Sequence, residues 1–384
     1  MQKRILILGL VLLTGVLALA CTSNTQAQLK NSEGWTKTPA QVVTSDYKIS
    51  GPYTHKNLTV FLIHGDNKST GKVPLTLQEA MALKKVKVIE TGDVNQLVIQ
   101  NISDQEVFVQ SGDIVKGGQQ DRVLAMDLLV PPHSGRVPID SFCVEHGRWQ
   151  QRGAEMATAF SSSEQSLNHK DLKMAAKSAK SQNEVWAKVA ESQDKLGRNA
   201  MVAASATPKP KAISGAAGGV SAGAPPQMTL APVVDVTSAA SRSSLQLTLE
   251  NKVVKETADE YLKELQKIIA GKNDVIGYAF AINGEINSAD VYSSHVLFAK
   301  LWPKMLKASA IEAIAEFDKS GKHEEVTTAS IKSFLSEAEN GKAESRELTP
   351  HVMMVKSESE KNLFFETRDR KRSDEWLHRN YLKK

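Results

Sequence analysis

Apolar residues in the first half of the chain come in short runs separated by turn residues. Residues 58–63 read Leu-Thr-Val-Phe-Leu-Ile, which is typical of a buried strand, and His-Gly-Asp-Asn follows it. Comparable runs, bounded by Gly, Asp, Asn or Pro, lie at residues 86–89, 96–100, 107–110, 123–130 and 137–144. This spacing predicts a mostly antiparallel β unit.

Helical and mixed patterns occupy the rest of the chain. Thr76 and Glu79 have the spacing of a capping box, which predicts a short helix beginning after Thr76. Residues 164–198 also have a helical pattern. The elements predicted beyond residue 240 are a helix at 254–269 capped by Gly271, a central strand at 275–282, a hairpin turn at Asn283-Gly284 leading into 285–292, a helix after Ser294 bent at Pro303, a helix near 327–338, and a hairpin pairing 352–357 with 363–367.

Between these halves, residues 203–240 consist almost entirely of Ala, Ser, Gly, Pro and Val, which predicts a linker or a long disordered insertion. The predicted fold class is α+β, with a β-rich, antiparallel first half and a mixed second half. The predicted divisions are a lipoprotein signal peptide with its lipidated cysteine at 1–21, a tether and lead-in segment at 22–56, the first half at 57–202, the insertion at 203–240, and the second half of the same folded unit at 241–384.

The first residues of the chain indicate export. Lys3 and Arg4 precede sixteen uncharged residues, which end in Leu-Ala-Leu-Ala before Cys21. Sixteen helical residues span about 24 Å, short of the roughly 30 Å of a hydrocarbon core, so the run suits a signal peptide. The small residues before Cys21 resemble a lipobox, in which the cysteine is acylated and becomes the mature N-terminus. Ordinary secretion, with cleavage after Ala20 or Ala27, is the alternative.

Lipidation at Cys21 would place the protein at a membrane. Two or three acyl chains anchor stably, because each buried CH₂ contributes about 0.8 kcal/mol. Thr22 follows the cysteine, and by resemblance to Gram-negative lipoproteins this favours the periplasmic face of the outer membrane.

Composition and charge limit the kinds of protein and of partner that are possible. The hydrophobic content of 41% supports a packed core, and the formal net charge of +5 is mild for 384 residues. The basic run at residues 368–372 could contact anionic lipid, but a solvated charged turn is favoured and no nucleic-acid partner is expected. With lipid on Cys21, Cys143 is the one remaining thiol, which excludes an intramolecular disulfide and a cysteine-rich zinc site.

Several stretches are specific enough to compare with a known family. Residues 112–122 read GDIVKGGQQDR, residues 130–132 read VPP, and residues 142–149 read FCVEHGRW. Together with the residues around 274–284 and Leu301-Trp302, they resemble the bacterial ARG- and rhodanese-phosphatase-superfamily-associated protein domain, over about residues 57–310. The resemblance implies one folded unit interrupted by the insertion. The family's name implies a link to NAD or ADP-ribose metabolism, but no catalytic residues or cofactor carry over, so the cofactor stays unknown.

The glycine-rich stretch is the first candidate site. Two adjacent glycines permit positive φ and close approach of a ligand to backbone amides, and the side chains around them could bind an anion or a phosphate. The candidate ligand-binding residues are Asp113, Lys116, Gly117, Gly118, Gln119, Gln120 and Arg122. The favoured alternative is a tight β-turn between the strands at 107–110 and 123–130.

The second candidate stretch contains Cys143, Glu145 and His146, which suggest a nucleophile and a base. In an extended strand Cys143 and Glu145 share one face while His146 points the other way, so the favoured interpretation is a buried structural cysteine. Arg148 and Trp149 are candidate ligand-binding residues, or a cation–π pair that closes the β unit. Neither His146 with Glu145 nor the histidine and aspartate at 64 and 66 has recognised ligand spacing, so no metal site is predicted.

Three functions remain open from the sequence. The favoured one is a lipid-anchored, non-enzymatic module that binds a small molecule or an envelope partner. The second is an enzyme or binder acting on ADP-ribose or NAD-related nucleotides, for which a membrane anchor is an unexpected location. The third is a structural envelope component, with residues 203–240 reaching towards a partner.

Overall fold

The chain folds into strands and helices in the mixed α+β order that its sequence pattern predicts. The computed structural model describes residues 36–39, 42, 45–68, 72–167, 169–179, 181–206, 233–318, 320, 323–373 and 375–384. The strands are β1 (Thr36–Pro39), β2 (Lys48–His55), β3 (Leu58–His64), β4 (Leu75–Thr76), β5 (Val86–Glu90), β6 (Gln96–Asn101), β7 (Val107–Val109), β8 (Asp113–Gly117), β9 (Arg122–Leu124), β10 (Leu128–Val130), β11 (Gly135–Cys143), β12 (Phe160–Ser166), β13 (Val275–Ile282), β14 (Glu285–Tyr292), β15 (Lys342–Thr349), β16 (Val352–Glu358), β17 (Asn362–Asp369) and β18 (Glu375–Lys383). The α-helices are α1 (Leu77–Ala82), α2 (Lys170–Met174), α3 (Gln182–Ser205), α4 (Leu245–Leu249), α5 (Lys252–Leu265), α6 (His295–Ala315) and α7 (Thr328–Glu339), with a π-helix at Ala175–Ala179 and 3₁₀ turns at Gln266–Ile269 and Arg370–Arg372.

The apolar run at residues 275–282 forms β13, and all eight of its residues are buried. It lies inside a nine-stranded sheet with the order β1-β15-β16-β17-β18-β14-β13-β3-β2, in which the described pairs are antiparallel. Asn283 and Gly284 join β13 to β14 with φ values of 52° and 76°, which confirms the predicted hairpin turn. A strand this apolar needs cover on both faces, and the helices supply it.

Alternate side chains of β13 enter two separate hydrophobic clusters. On one face, Tyr278 and Phe280 pack with α6, and the Tyr278 ring meets Trp302 at a centroid distance of 5.3 Å. On the other face, Ala279 and Ala281 belong to a smaller cluster with the apolar side of α7. The sheet is therefore the middle layer of the second half of the chain.

The β-rich first half contains a six-stranded sheet, β12-β8-β9-β11-β6-β5, and a three-stranded sheet, β10-β7-β4. The single strand predicted at residues 123–130 is wrong, because β9 and β10 belong to different sheets. Asp127 lies between them, and its buried carboxylate accepts a hydrogen bond from the Ser111 amide at 2.7 Å. The predicted capping box is confirmed, since Thr76 and Glu79 bond reciprocally at the start of α1.

Several predicted features lie wholly or partly outside the described residues. Cys21, the signal peptide and residues 207–232 of the predicted insertion are among them. The flanks of the insertion are ordered, since the Val234 amide donates to the Gly197 carbonyl at 2.9 Å. The predicted tether contributes β1 and β2 to the large sheet. Within the described ranges, no helix is long and apolar enough to cross a membrane.

Candidate functional site

The glycine-rich stretch forms a strand and a turn. β8 pairs with β9, so the turn occupies residues 118–121 and not the whole of 112–122. Gly117 and Gly118 have φ values of 114° and 54°. A Cβ on Gly118 would lie 2.3 Å from the Phe160 ring and 2.9 Å from the Glu90 carboxylate. The turn alone therefore accounts for both glycines.

This turn places Asp121 in a buried cluster of carboxylates and arginines. Asp121 accepts hydrogen bonds from the two terminal nitrogens of Arg152 at 2.8 and 2.9 Å. Glu145 accepts from Nε and Nη2 of Arg148, each at 2.7 Å, and from the Asp121 amide at 3.0 Å. Both carboxylates are fully buried. The stretches at 112–122 and 142–149, which resemble the family, thus meet in one ion-pair network. We call this network the arginine–carboxylate cluster.

The two carboxylates respond differently to this environment. Burial raises the pKa of Asp121 above its ordinary value, and the hydrogen bonds from Arg152 oppose the shift only in part. Burial also acts to raise the pKa of Glu145, but the hydrogen bonds from Arg148 and other donors bring it below its ordinary value. Glu145 therefore carries a negative charge at neutral pH, and this charge holds Arg148 in place.

Arg122 continues the cluster towards the surface. Its guanidinium is fully buried, lies 3.5 Å from the Glu90 carboxylate and donates to the Gln120 carbonyl at 3.2 Å. The Trp149 indole, 47% exposed, covers it with 5.5 Å between the guanidinium carbon and the ring centroid. The predicted pairing of Trp149 with Arg148 is therefore wrong, because Arg148 is turned inwards by its bonds to Glu145.

The backbone amides of the turn are already occupied by the protein's own oxygen atoms. The Gly117 amide donates to Asp121 at 3.0 Å, and the Gln119 amide donates to Glu90 at 3.2 Å. The Gly118 amide donates to a backbone carbonyl at 3.0 Å. The stretch thus binds carboxylates, as its composition suggests, but they are internal ones. An external anion at this turn would have to displace them.

Cys143 and His146 lie apart. Cys143 is fully buried at the end of β11, and burial raises the pKa of its thiol to about 11. Its sulfur lies 3.8 Å from the Val94 carbonyl oxygen. His146 is exposed and packs edge-on against Trp186, with 4.5 Å between ring centroids. A buried thiol with a raised pKa is a poor nucleophile.

Asp113 and Lys116 on β8 form ion pairs with residues outside the arginine–carboxylate cluster. The buried Asp113 carboxylate accepts from Lys304 of α6 at 2.7 Å. Lys116 forms a partly exposed ion pair with Glu250 at 3.0 Å. Of the seven ligand-binding candidates in this stretch, Lys116 alone lines the pocket described below.

That pocket is polar and lies between the six-stranded sheet and the helices, with a volume of about 560 Å³. It is lined by Gln78, Ala82, Lys116, Ser162, Glu164, Gln165, Glu250, Lys255 and Lys307. Its size falls within the range of roughly 300–1,000 Å³ found for small-molecule sites. We call it the lysine pocket.

Lys307 of α6 is the buried cation of the lysine pocket. The residue is 9% exposed, and its ammonium has neither a hydrogen-bond nor an ion-pair partner in the described part of the chain. Burial and the charge of Lys255 lower its pKa, while the charges of Glu164, Asp259 and Glu250 act to raise it. The ammonium has no direct partner among the described residues, so its donors are available to an incoming anion.

A second buried network joins the two halves of the chain. His378 of β18 lies between Asp127 and Asp290, at 2.7 and 3.1 Å from its two ring nitrogens. Lys177 of the π-helix, also buried, donates to Asn380 at 2.9 Å. The adjoining cavity of about 20 Å³ has room for about one water molecule. The two carboxylates are compensated by the positive charges of His378 and Lys177, so the network stabilises the contact between the two halves of the chain.

Two residues of these sites escaped the sequence analysis. Arg152 follows the recognisable motif and carries no signal of its own. Lys307 is one of three lysines on α6, with Lys300 and Lys304, and the sequence does not distinguish it from the other two. As for metals, the described ranges contain no group of three or more His, Cys, Asp or Glu side chains arranged to hold an ion.

Comparison with known proteins identifies one family. The family model described as the ARG and Rhodanese-Phosphatase-superfamily-associated Protein domain matches residues 46–382. The match includes the arginine–carboxylate cluster, the lysine pocket and the whole strand order from β2 to β17. No curated protein and no solved structure matches the chain.

Proposed function

The chain belongs to the family of ARG and Rhodanese-Phosphatase-superfamily-associated Protein domains, and from that premise we propose that it is a binding module for a small anionic molecule, held at a membrane surface by lipid on Cys21. The family description states an association with other proteins and no reaction. The proposal therefore depends on the lysine pocket for the ligand and on the N-terminal sequence for the anchor.

The proposal that the ligand is an anion depends on Lys307. The Lys307 ammonium lines the pocket with no ion-pair partner of its own in the described part of the chain, so an anion that enters would pair with it directly. Lys255, exposed at the rim, adds positive charge that would steer an anion inwards.

The other pocket residues determine what else the ligand should carry. Gln78, Gln165 and Ser162 offer neutral donors and acceptors. Lys116 is already paired with Glu250, so an anion competes with that carboxylate for it. We infer a ligand with at least one anionic group and several hydrogen-bonding groups.

ADP-ribose or a related nucleotide is the second candidate, supported by the family's association and by the anionic diphosphate that such molecules carry. A structural envelope component is the interpretation that would remain if the pocket binds no ligand. The same titration separates these alternatives.

The test is thermal unfolding of the detergent-solubilised full chain with inorganic phosphate, ADP-ribose and NAD. A ligand at 100 times its Kd should stabilise the protein by about 2.7 kcal/mol. Lys307→Met should abolish the shift while leaving the empty protein at least as stable. Lys263→Met, an exposed lysine on α5, is the matched control and should keep the shift. No stabilisation by any anion would contradict the binding proposal.

The anchor has a separate test. Cys21→Ser should release the protein from membranes into the soluble fraction, because the acylated residue is lost. Cys143→Ser is the matched control, and it should leave the protein membrane-bound. Retention of the Cys21→Ser variant in the membrane fraction would contradict the lipoprotein proposal.

A further inference from the structure

Three polar side chains from separate segments meet at one edge of the nine-stranded sheet. The Ser50 hydroxyl on β2 lies 2.7 Å from Nε2 of His64 on β3. Nδ1 of the same imidazole lies 3.0 Å from a carboxylate oxygen of Asp274, which precedes β13. We propose that Ser50, His64 and Asp274 form the nucleophile, the general base and the orienting carboxylate of an acyl-transfer site.

Strand pairing holds the three residues in place. Lys48 is directly opposite His64 across β2 and β3, so Ser50, two residues further along, is its diagonal neighbour on the same face. His64 is in turn opposite Val275, the first residue of β13. The following amide, that of Gly65, donates to the Asp274 carbonyl at 2.9 Å. A site built on paired strands holds its geometry better than one built on loops.

The three side chains differ in how far they are exposed to solvent. His64 is buried, Ser50 is half-buried and accessible from the sheet edge, and the Asp274 side chain is 61% exposed. The close approach of the His64 ring lowers the pKa of Asp274, which keeps the carboxylate charged. Nδ1 is within reach of Asp274 but not aligned with it as a hydrogen bond. Catalytic hydrogen bonds are often misaligned in a free site and improve when substrate binds.

The geometry supports a balanced acyl transfer on a small ester. The Ser50 oxygen attacks the carbonyl carbon, its proton passes to Nε2 of His64, and His64 then gives that proton to the departing alcohol. Water, activated by the same nitrogen, releases the acid and restores the serine.

The experiment exposes the full chain to a fluorophosphonate and maps the adduct by mass spectrometry, alongside hydrolysis of p-nitrophenyl acetate. We expect one adduct, on Ser50, and loss of both signals in Ser50→Ala. Thr54→Ala removes an exposed hydroxyl from the same strand and should leave both unchanged. His64→Gln should lower the hydrolysis rate by about 10²-fold or more.

Adduct mapping on the unaltered chain needs no variant to fold, so it decides the question by itself. An adduct on another residue, or no adduct under conditions that label a known serine hydrolase, overturns the proposal. So does hydrolysis that is unchanged in His64→Gln. The three residues share no member with the lysine pocket, and neither outcome depends on whether that pocket binds an anion.

Discussion

Replacing Glu145 by Gln removes one charge from the arginine–carboxylate cluster and almost preserves its shape. The buried carboxylate accepts from Arg148 at 2.7 Å through both of its oxygens and from the Asp121 amide at 3.0 Å. Glutamine offers one oxygen acceptor, and its NH₂ group would face another donor. The variant must therefore lose either a bond to the guanidinium or the bond to the amide.

The expected cost follows from these contacts. Removing one partner of a buried ion pair costs about 3–5 kcal/mol. Part of this cost is offset, because the charge of Glu145 is one reason that the pKa of Asp121 is raised, and without it Asp121 pairs better with the arginines. We therefore expect a loss of about 3 kcal/mol, the lower end of that range. At roughly 2 °C per kcal/mol for a large domain, the midpoint should fall by about 6 °C.

Unfolding by guanidinium chloride and by heat, at several pH values, measures this loss of stability. The pKa of Glu145 lies below the ordinary value of 4.5 in the folded protein, so its contribution is complete above pH 4.5 and is lost as the pH falls through the folded pKa. The gap between the two proteins should therefore narrow in acid. Glu285→Gln, an exposed glutamate at the start of β14, is the control. A Glu145→Gln variant within about 0.5 kcal/mol of wild type would refute the assignment of a structural role to this carboxylate.

Three further predictions concern other buried groups. Cys143 should resist iodoacetamide in the native protein and react on unfolding, because burial raises the pKa of its thiol to about 11, and rapid native alkylation seen by mass spectrometry would contradict this. Gly118→Ala should destabilise the protein by about 2–3 kcal/mol in denaturant titration, since its Cβ would lie 2.3 Å from the Phe160 ring at a φ of 54°, and an unchanged midpoint would count against the described turn. Two buried aspartates raise the pKa of His378 above 6.5 although burial opposes the shift, so its stabilisation should be complete below pH 6.5 and fall as the pH rises through the folded pKa. His378→Gln should flatten that dependence between pH 6 and 9, and an equal slope in both proteins would disprove the link.

Local patterns were sufficient for some elements of the fold. The strand at 275–282, the Asn283-Gly284 turn and the Thr76 capping box each depend on residues adjacent in sequence. β12 and β15 are different, since their sequences, FSSSEQS and KAESRELT, contain few apolar residues. Such strands are stabilised by the neighbours with which they pair, and sequence does not state which neighbours those are.

The same distinction applies to the candidate sites. The stretches at 112–122 and 142–149 could be singled out, but their meeting in one cluster depends on the order of strands in the six-stranded sheet. Arg152 and Ser50 have no distinctive local pattern. Their roles depend on partners brought close by the fold, Asp121 for the first and His64 for the second.

The position of β18 has a consequence for biosynthesis. Residues 375–383 lie between β17 and β14, in the middle of the nine-stranded sheet, and β14 is made much earlier than β18. A nascent chain cannot close this sheet until residue 383 has emerged from the ribosome. Contacts so distant in sequence fold slowly, and until then β14 and β17 present open edges to other chains. A chain cut before residue 375 would keep those edges exposed and should be degraded or aggregate.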